Sequence, residues 1–180
     1  MRREKERRII IFIFMLGFLL GIIYSNLITE NYVTITNIFH ENYLNQYLQM
    51  KQITKDYFLF ILQYRLGAFF GIGILATTRY RKIAILCFLV WTGFSAGVLA
   101  VTSVLSVGIW GMLICISALF PHFVFYIISY LIIILYCIGE HKIEWNNVKT
   151  VAVVLLQMTG IVTECYVNPW IMKALVGMIL

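Results

Sequence analysis

Hydrophobic positions in this chain do not fall on one stripe of a helix or one face of a strand; they run on for whole segments. Apolar side chains predominate over residues 9–28, 57–78, 83–105, 109–138 and 151–168. Each run is long enough to cross a hydrocarbon core about 30 Å thick at roughly 1.5 Å of rise per residue. In hydrocarbon every backbone polar group must be satisfied within the segment, so such runs predict helices. The expected fold is all-α: a polytopic membrane bundle of about five transmembrane helices, forming a single membrane domain over residues 1–180.

The punctuation between runs refines this picture. The first run follows Arg2, Arg3, Lys5, Arg7 and Arg8, the order of a signal peptide's basic and apolar regions. It continues through Tyr24 with no A-x-A-like cleavage site, which predicts a retained signal anchor. The second stops at Arg79, Arg81 and Lys82, and the third fades near Ser103 to Ser106. The fourth is longer than one perpendicular crossing needs, and Pro121 divides it. Ile109 to Phe120 is therefore expected as a short tilted or re-entrant piece before the crossing proper. The fifth reaches Pro169, leaving Trp170 to Leu180 as an apolar tail. There are no internal repeats and no Pro-rich or Ser-rich linkers, and the loops are too short to fold alone.

One sizeable stretch, residues 29–56, has the composition of a water-facing segment. Ile35, Phe39, Tyr43 and Tyr47 recur every four residues with Leu44 and Leu48 beside them, against Asn42, Asn45, Gln46 and Gln49. That period predicts an amphipathic helix, and its tyrosines favour the headgroup zone. It serves either as a connector resting on the membrane or as a partner surface made by Phe39, Tyr43, Leu44, Tyr47 and Leu48.

Composition agrees with the pattern: 62% of the 180 residues are hydrophobic and 12% charged, too few charges to cover a soluble domain. Lys and Arg collect on the cytoplasmic side of short loops. A cytoplasmic amino terminus places ten of the fourteen there: five before the first run, Arg79, Arg81 and Lys82, then Lys142 and Lys149. The net charge of +6 thus reports topology beside an anionic inner leaflet rather than nucleic-acid binding.

Candidate chemistry is sparse. Cys87, Cys115, Cys137 and Cys165 are dispersed through apolar runs without a C-x-x-C pair or nearby histidines, so neither a metal site nor a cofactor is expected. Gly93-Phe94-Ser95-Ala96-Gly97 matches the nucleophile-elbow pattern in letters, but that motif needs a strand-to-helix turn and here falls within a spanning helix. A hydrolase pairing Ser95 with His122 is the weakest alternative. The same glycines, with Gly17 and Gly21 and with Gly67, Gly71 and Gly73, suit close approach of helix backbones.

Ionisable residues within the runs are more informative, because a charge in hydrocarbon must be paired or reach water. Arg65 lies about eight residues from the outer start of the second run and Glu164 about thirteen from the inner start of the fifth. In antiparallel helices both then fall roughly 10–12 Å below the outer boundary. An Arg65–Glu164 ion pair is therefore expected. Pro121 frees a carbonyl beside His122, making a polar break inside the fourth run, and Pro169 ends the fifth. Arg65, Glu164, His122, Pro121 and Pro169 form the expected intramembrane polar network.

The segment Thr163-Glu164-Cys165-Tyr166-Val167-Asn168-Pro169-Trp170-Ile171-Met172-Lys173 resembles the carboxy-terminal pattern of the stage II sporulation protein M family. Phe120-Pro121-His122 is similar to that family's Pro-His segment, and Leu16-Gly17-Phe18-Leu19-Leu20-Gly21 is a weaker third element. Where the family commonly carries a glycine and then a glutamate after Pro-His, this chain has Phe123 and Tyr126. Arg65 stands where an uncharged polar residue is usual. The resemblance implies a non-enzymatic membrane scaffold in forespore engulfment, working with peptidoglycan hydrolases, the stage II sporulation proteins D and P. The alternative from the residues alone is a small transporter or channel subunit using Glu164 and His122.

Overall fold

A computed structural model of the chain describes residues 2–28, 55–138 and 145–179, and these are helical apart from short turns, with no strand among them. In chain order the helices are α1 (Arg2–Ile28), α2 (Lys55–Thr77), α3 (Arg81–Val107), α4 (Ile109–Leu119), α5 (His122–Ile138), α6 (Asn147–Tyr166) and α7 (Asn168–Ile179). Four helical stretches are long and apolar enough to cross a membrane, or five if α4 and α5 count as one broken span. The partner surface expected at Phe39, Tyr43, Leu44, Tyr47 and Leu48 lies outside the described residues.

Local chemistry sets the helix ends. Thr77 and Thr78 donate their hydroxyls to the carbonyls of Ile74 and Leu75 at 2.7 Å each, satisfying the last turn of α2. Gly108, at φ +64°, stops α3 by adopting the left-handed conformation, and its N–H donates back to the Val104 carbonyl at 2.8 Å. The third run thus stays helical through Val107, beyond the serines where its apolar character fades. Pro121 separates α4 from α5, as its place in the fourth run implies. The tail after Pro169 is itself helical, forming α7. Hydroxyls inside the apolar helices are absorbed by their own backbones: Thr102, Ser106, Thr159 and Thr163 each donate to the carbonyl four residues earlier.

The chain divides into two compact units. One comprises Met1–Met50, Leu86–Ala118 and Ile171–Leu180; the other comprises Lys51–Ile85 and Leu119–Trp170. In the first, α1 and α3 meet backbone to backbone. A Cβ on Gly17 or Gly21 would collide with the carbonyls of Val90 and Phe94, and one on Gly93 or Gly97 with those of Phe14 and Phe18. Four glycines in two four-residue repeats thus bring the helices close enough for dispersion to hold them without a hydrophobic driving force. The Tyr24 ring packs on Phe94 at 5.3 Å between centroids beside this contact.

In the second unit α2, α5 and α6 pack around Ile61, Tyr126, Ile161 and Cys165, with Tyr57, Phe58, Leu62, Leu66 and Tyr130 at the margin. The glycines of α2 differ from those of α1 and α3. Gly67, Gly71 and Gly73 have no heavy atom within 4 Å of a built Cβ, so they make no packing face among the described residues, contrary to the expectation from spacing.

Candidate functional site: a charge cluster between α2, α5 and α6

Arg65 reaches α6 from the third turn of α2. Its Nε donates to Glu164 Oε2 at 2.8 Å and its Nη2 donates to Glu164 Oε1, a bidentate fork that matches the planar guanidinium to the planar carboxylate. The Arg65 side chain is 32% exposed and that of Glu164 12%. The pair is therefore partly sheltered, with the guanidinium on the open side. The depth arithmetic applied to two antiparallel runs brings these residues to one level, and they meet there.

A third helix completes the carboxylate's coordination. Tyr126, on α5, donates its hydroxyl to Glu164 Oε2 at 2.7 Å, and its ring lies under the guanidinium, 4.9 Å from Arg65 Cζ to the centroid. The ring can lie there because residue 160 of α6 is glycine: a Cβ at Gly160 would overlap the Tyr126 ring edge. One missing side chain thus admits an aromatic that both hydrogen-bonds the anion and faces the cation with its π cloud.

His122, the first residue of α5, is 3% exposed. Its Nε2 stands 3.9 Å from Glu164 Oε1, near the oxygen held by Arg65 Nη2, and its ring packs edge-on to Tyr126 at 5.7 Å. Its Nδ1 has no hydrogen-bond partner among the described residues. Pro121 precedes it, with its carbonyl accepting the N–H of Val124 at 3.2 Å in the first turn of α5. Pro169 occupies the first turn of α7, where the missing N–H of proline is tolerated. Of the five network residues expected from sequence, Arg65, Glu164 and His122 come together. Pro121 positions His122, and Pro169 shapes a helix start.

Sequence reasoning did not assign four participants, Tyr126, Ser129, Tyr130 and Gln157. Tyr126 attracted notice as a departure from a family pattern, not as a donor to Glu164. Further along the same helix pair, Gln157 is 1% exposed and the Tyr130 hydroxyl lies beside its carboxamide. Ser129 lies at the same level, its hydroxyl donating a long 3.3 Å bond to the Val153 carbonyl of α6. Beyond that level the interior becomes apolar, with Ile133, Ile134 and Val153 all buried. The signal for these residues was the recurrence of His122, Tyr126, Ser129 and Tyr130 at helical spacing opposite Gln157, Gly160 and Glu164.

Ser95, the would-be nucleophile, donates its hydroxyl to the Trp91 carbonyl in its own helix at 2.9 Å. Among the described residues there is no group of three His, Cys, Asp or Glu side chains placed to hold a metal. No protein-family model, curated protein or solved structure matches the chain.

Proposed function

We propose that this chain is a multi-pass cell-membrane scaffold, without enzymatic activity of its own, which positions peptidoglycan-remodelling enzymes at the membrane in the manner of stage II sporulation protein M. The observation that carries the reading is the enclosure of Glu164. Both of its oxygens are engaged, by Arg65 from α2 and by Tyr126 from α5. An anion so fully bound ties three helices together and has little free valence left for a solute or a reaction. A rigid bundle serves a scaffold well, since holding two enzymes on one platform raises their effective concentration without new chemistry.

The proposed arrangement has five crossings, with α4 and α5 forming one broken crossing and the amino terminus in the cytoplasm. The distribution of Lys and Arg supports that orientation. The segment 29–56 then faces the wall and is the proposed docking surface, through Phe39, Tyr43, Leu44, Tyr47 and Leu48. The resemblance at Phe120-Pro121-His122 and at Thr163–Lys173 supports assignment to the engulfment complex and, with it, hydrolase partners such as the stage II sporulation proteins D and P. An affinity pull-down of the tagged chain from detergent-solubilised membranes, comparing sporulating with growing cells, tests this. Recovery of peptidoglycan hydrolases from sporulating cells alone is expected. Recovery of an ATPase or permease instead would replace the scaffold with a transport-associated role.

A second reading, a small transporter or channel subunit, draws on one observation: the buried Nδ1 of His122, beside Glu164, has no hydrogen-bond partner among the described residues. It requires a polar path through the unit, and the polar residues give way to Ile133, Ile134 and Val153 past the level of Gln157.

A further inference from the structure

At the end of α5 opposite His122, basic and aromatic side chains from three helix ends meet within the second unit. Tyr136, in the last turn of α5, carries the guanidinium of Arg81, the first residue of α3, over its ring at 5.3 Å from Cζ to the centroid. Trp145 packs edge-on to the same Tyr136 at 4.9 Å between centroids and donates its indole N–H to Thr150 Oγ1, in the first turn of α6, at 2.7 Å. The turn joining α2 to α3 is closed by the Arg81 N–H on the Thr78 carbonyl at 3.3 Å, and exposed Arg79 stands on that turn. Among the described residues no carboxylate pairs with either arginine: in this unit Asp56 lies at the far end of α2, and Glu164 is bound to Arg65. Glu140 and Glu144 belong to segment 139–144, outside the described residues.

A ring against the face of a guanidinium fixes its plane and leaves the N–H donors at its edge, where they suit the oxygens of a phosphate. Tyr and Trp at helix ends are the side chains of the headgroup level of a bilayer. Beside the arginines the surface turns apolar: Ile74 and Leu75 in the last turn of α2 and Ile83 in the first turn of α3 are exposed. A free phosphate makes no use of that surface, whereas an acyl chain covers it. We infer that this end of the second unit is a binding site for an anionic glycerophospholipid. Arg79 and Arg81 hold its phosphate beside Trp145, and its acyl chains run along α2 and α3. One headgroup then links the α2–α3 turn to the ends of α5 and α6. The site is independent of the scaffold reading.

Quenching of Trp145 fluorescence by brominated lipids tests this in the full chain, reconstituted in bilayers with the exposed Trp91, Trp110 and Trp170 replaced by phenylalanine. Brominated phosphatidylglycerol should bind beside Trp145 several-fold more tightly than brominated phosphatidylcholine. In Arg79→Gln/Arg81→Gln that preference should vanish, while in Arg7→Gln/Arg8→Gln, which removes two charges from α1, it should persist. Arg79→Gln alone, at an exposed turn position, gives the same comparison if the first double variant fails to fold. Equal quenching by the two lipids in the parent protein overturns the inference, as does undiminished preference in a folded Arg79 variant. An equal loss in both double variants also overturns it, because diffuse surface charge rather than a site would then hold the lipid.

Discussion

Glu164 links α2, α5 and α6 through Arg65 and Tyr126, and its surroundings set the cost of altering it. Breaking a sheltered ion pair leaves the surviving charge without compensation, which costs about 3–5 kcal/mol for fully buried pairs. With the Arg65 side chain 32% exposed, the lower end applies. Glu164→Gln and Arg65→Ala should therefore each lower the apparent unfolding midpoint in detergent. The double variant should be less destabilised than the sum of the two, as a double-mutant cycle would show. Silent single variants would mean the pair contributes nothing. Tyr126→Phe removes one hydrogen bond to a charged acceptor, a loss of about 1.5–3 kcal/mol. Gly160→Ala should mimic that loss without touching the hydroxyl, because the new methyl displaces the ring. The Arg65–Glu164 pair was legible in the sequence because depth in an antiparallel helix pair is simple arithmetic. Tyr126 was not legible in the same way. Its role depends on the rotation and register of α5 against α6 and on the gap at Gly160, and the apolar pattern of one helix carries neither.

At the scale of elements, glycine spacing marks where backbones can approach but not whether they do. The Gly17/Gly21 and Gly93/Gly97 pairs face each other, whereas Gly67 and Gly71, with the same spacing, face no atom of the described chain. Replacing Gly17 or Gly93 with Leu should destabilise the protein by at least about 1–3 kcal/mol, as overpacking does, and push α1 from α3. Gly67→Ala should be neutral or slightly stabilising, because alanine is the better helix former by about 1 kcal/mol. Thermal unfolding of the two sets side by side checks this, and equal destabilisation would contradict it. Helix positions were legible because apolar runs and prolines mark them: Pro121 divides the fourth run, and Pro169 follows the end of α6. The helical character of the tail was less so, since a short apolar stretch after a proline has no local feature that requires it to continue as α7.

For the whole molecule, charge placement carries the proposed topology and the closed cluster carries the proposed function. Reporter fusions near Arg81 and Lys149 should be cytoplasmic, and a fusion near Tyr43 should lie outside. The opposite pattern would reverse the proposed wall-facing surface. The overall class of fold was open to sequence reasoning because a bilayer constrains length and polarity so tightly. The proposed role is not open in the same way, because a scaffold would be defined by what it touches rather than by a reactive constellation. Flux through the purified chain in proteoliposomes gives the most direct test of whether its charge cluster binds helices together or moves solutes. Ion or proton movement should not exceed that of empty vesicles for either wild type or Glu164→Gln, with the variant altered in stability alone. Flux through the wild type that disappears in a folded Glu164→Gln protein would contradict the scaffold reading and make Glu164 a transport residue.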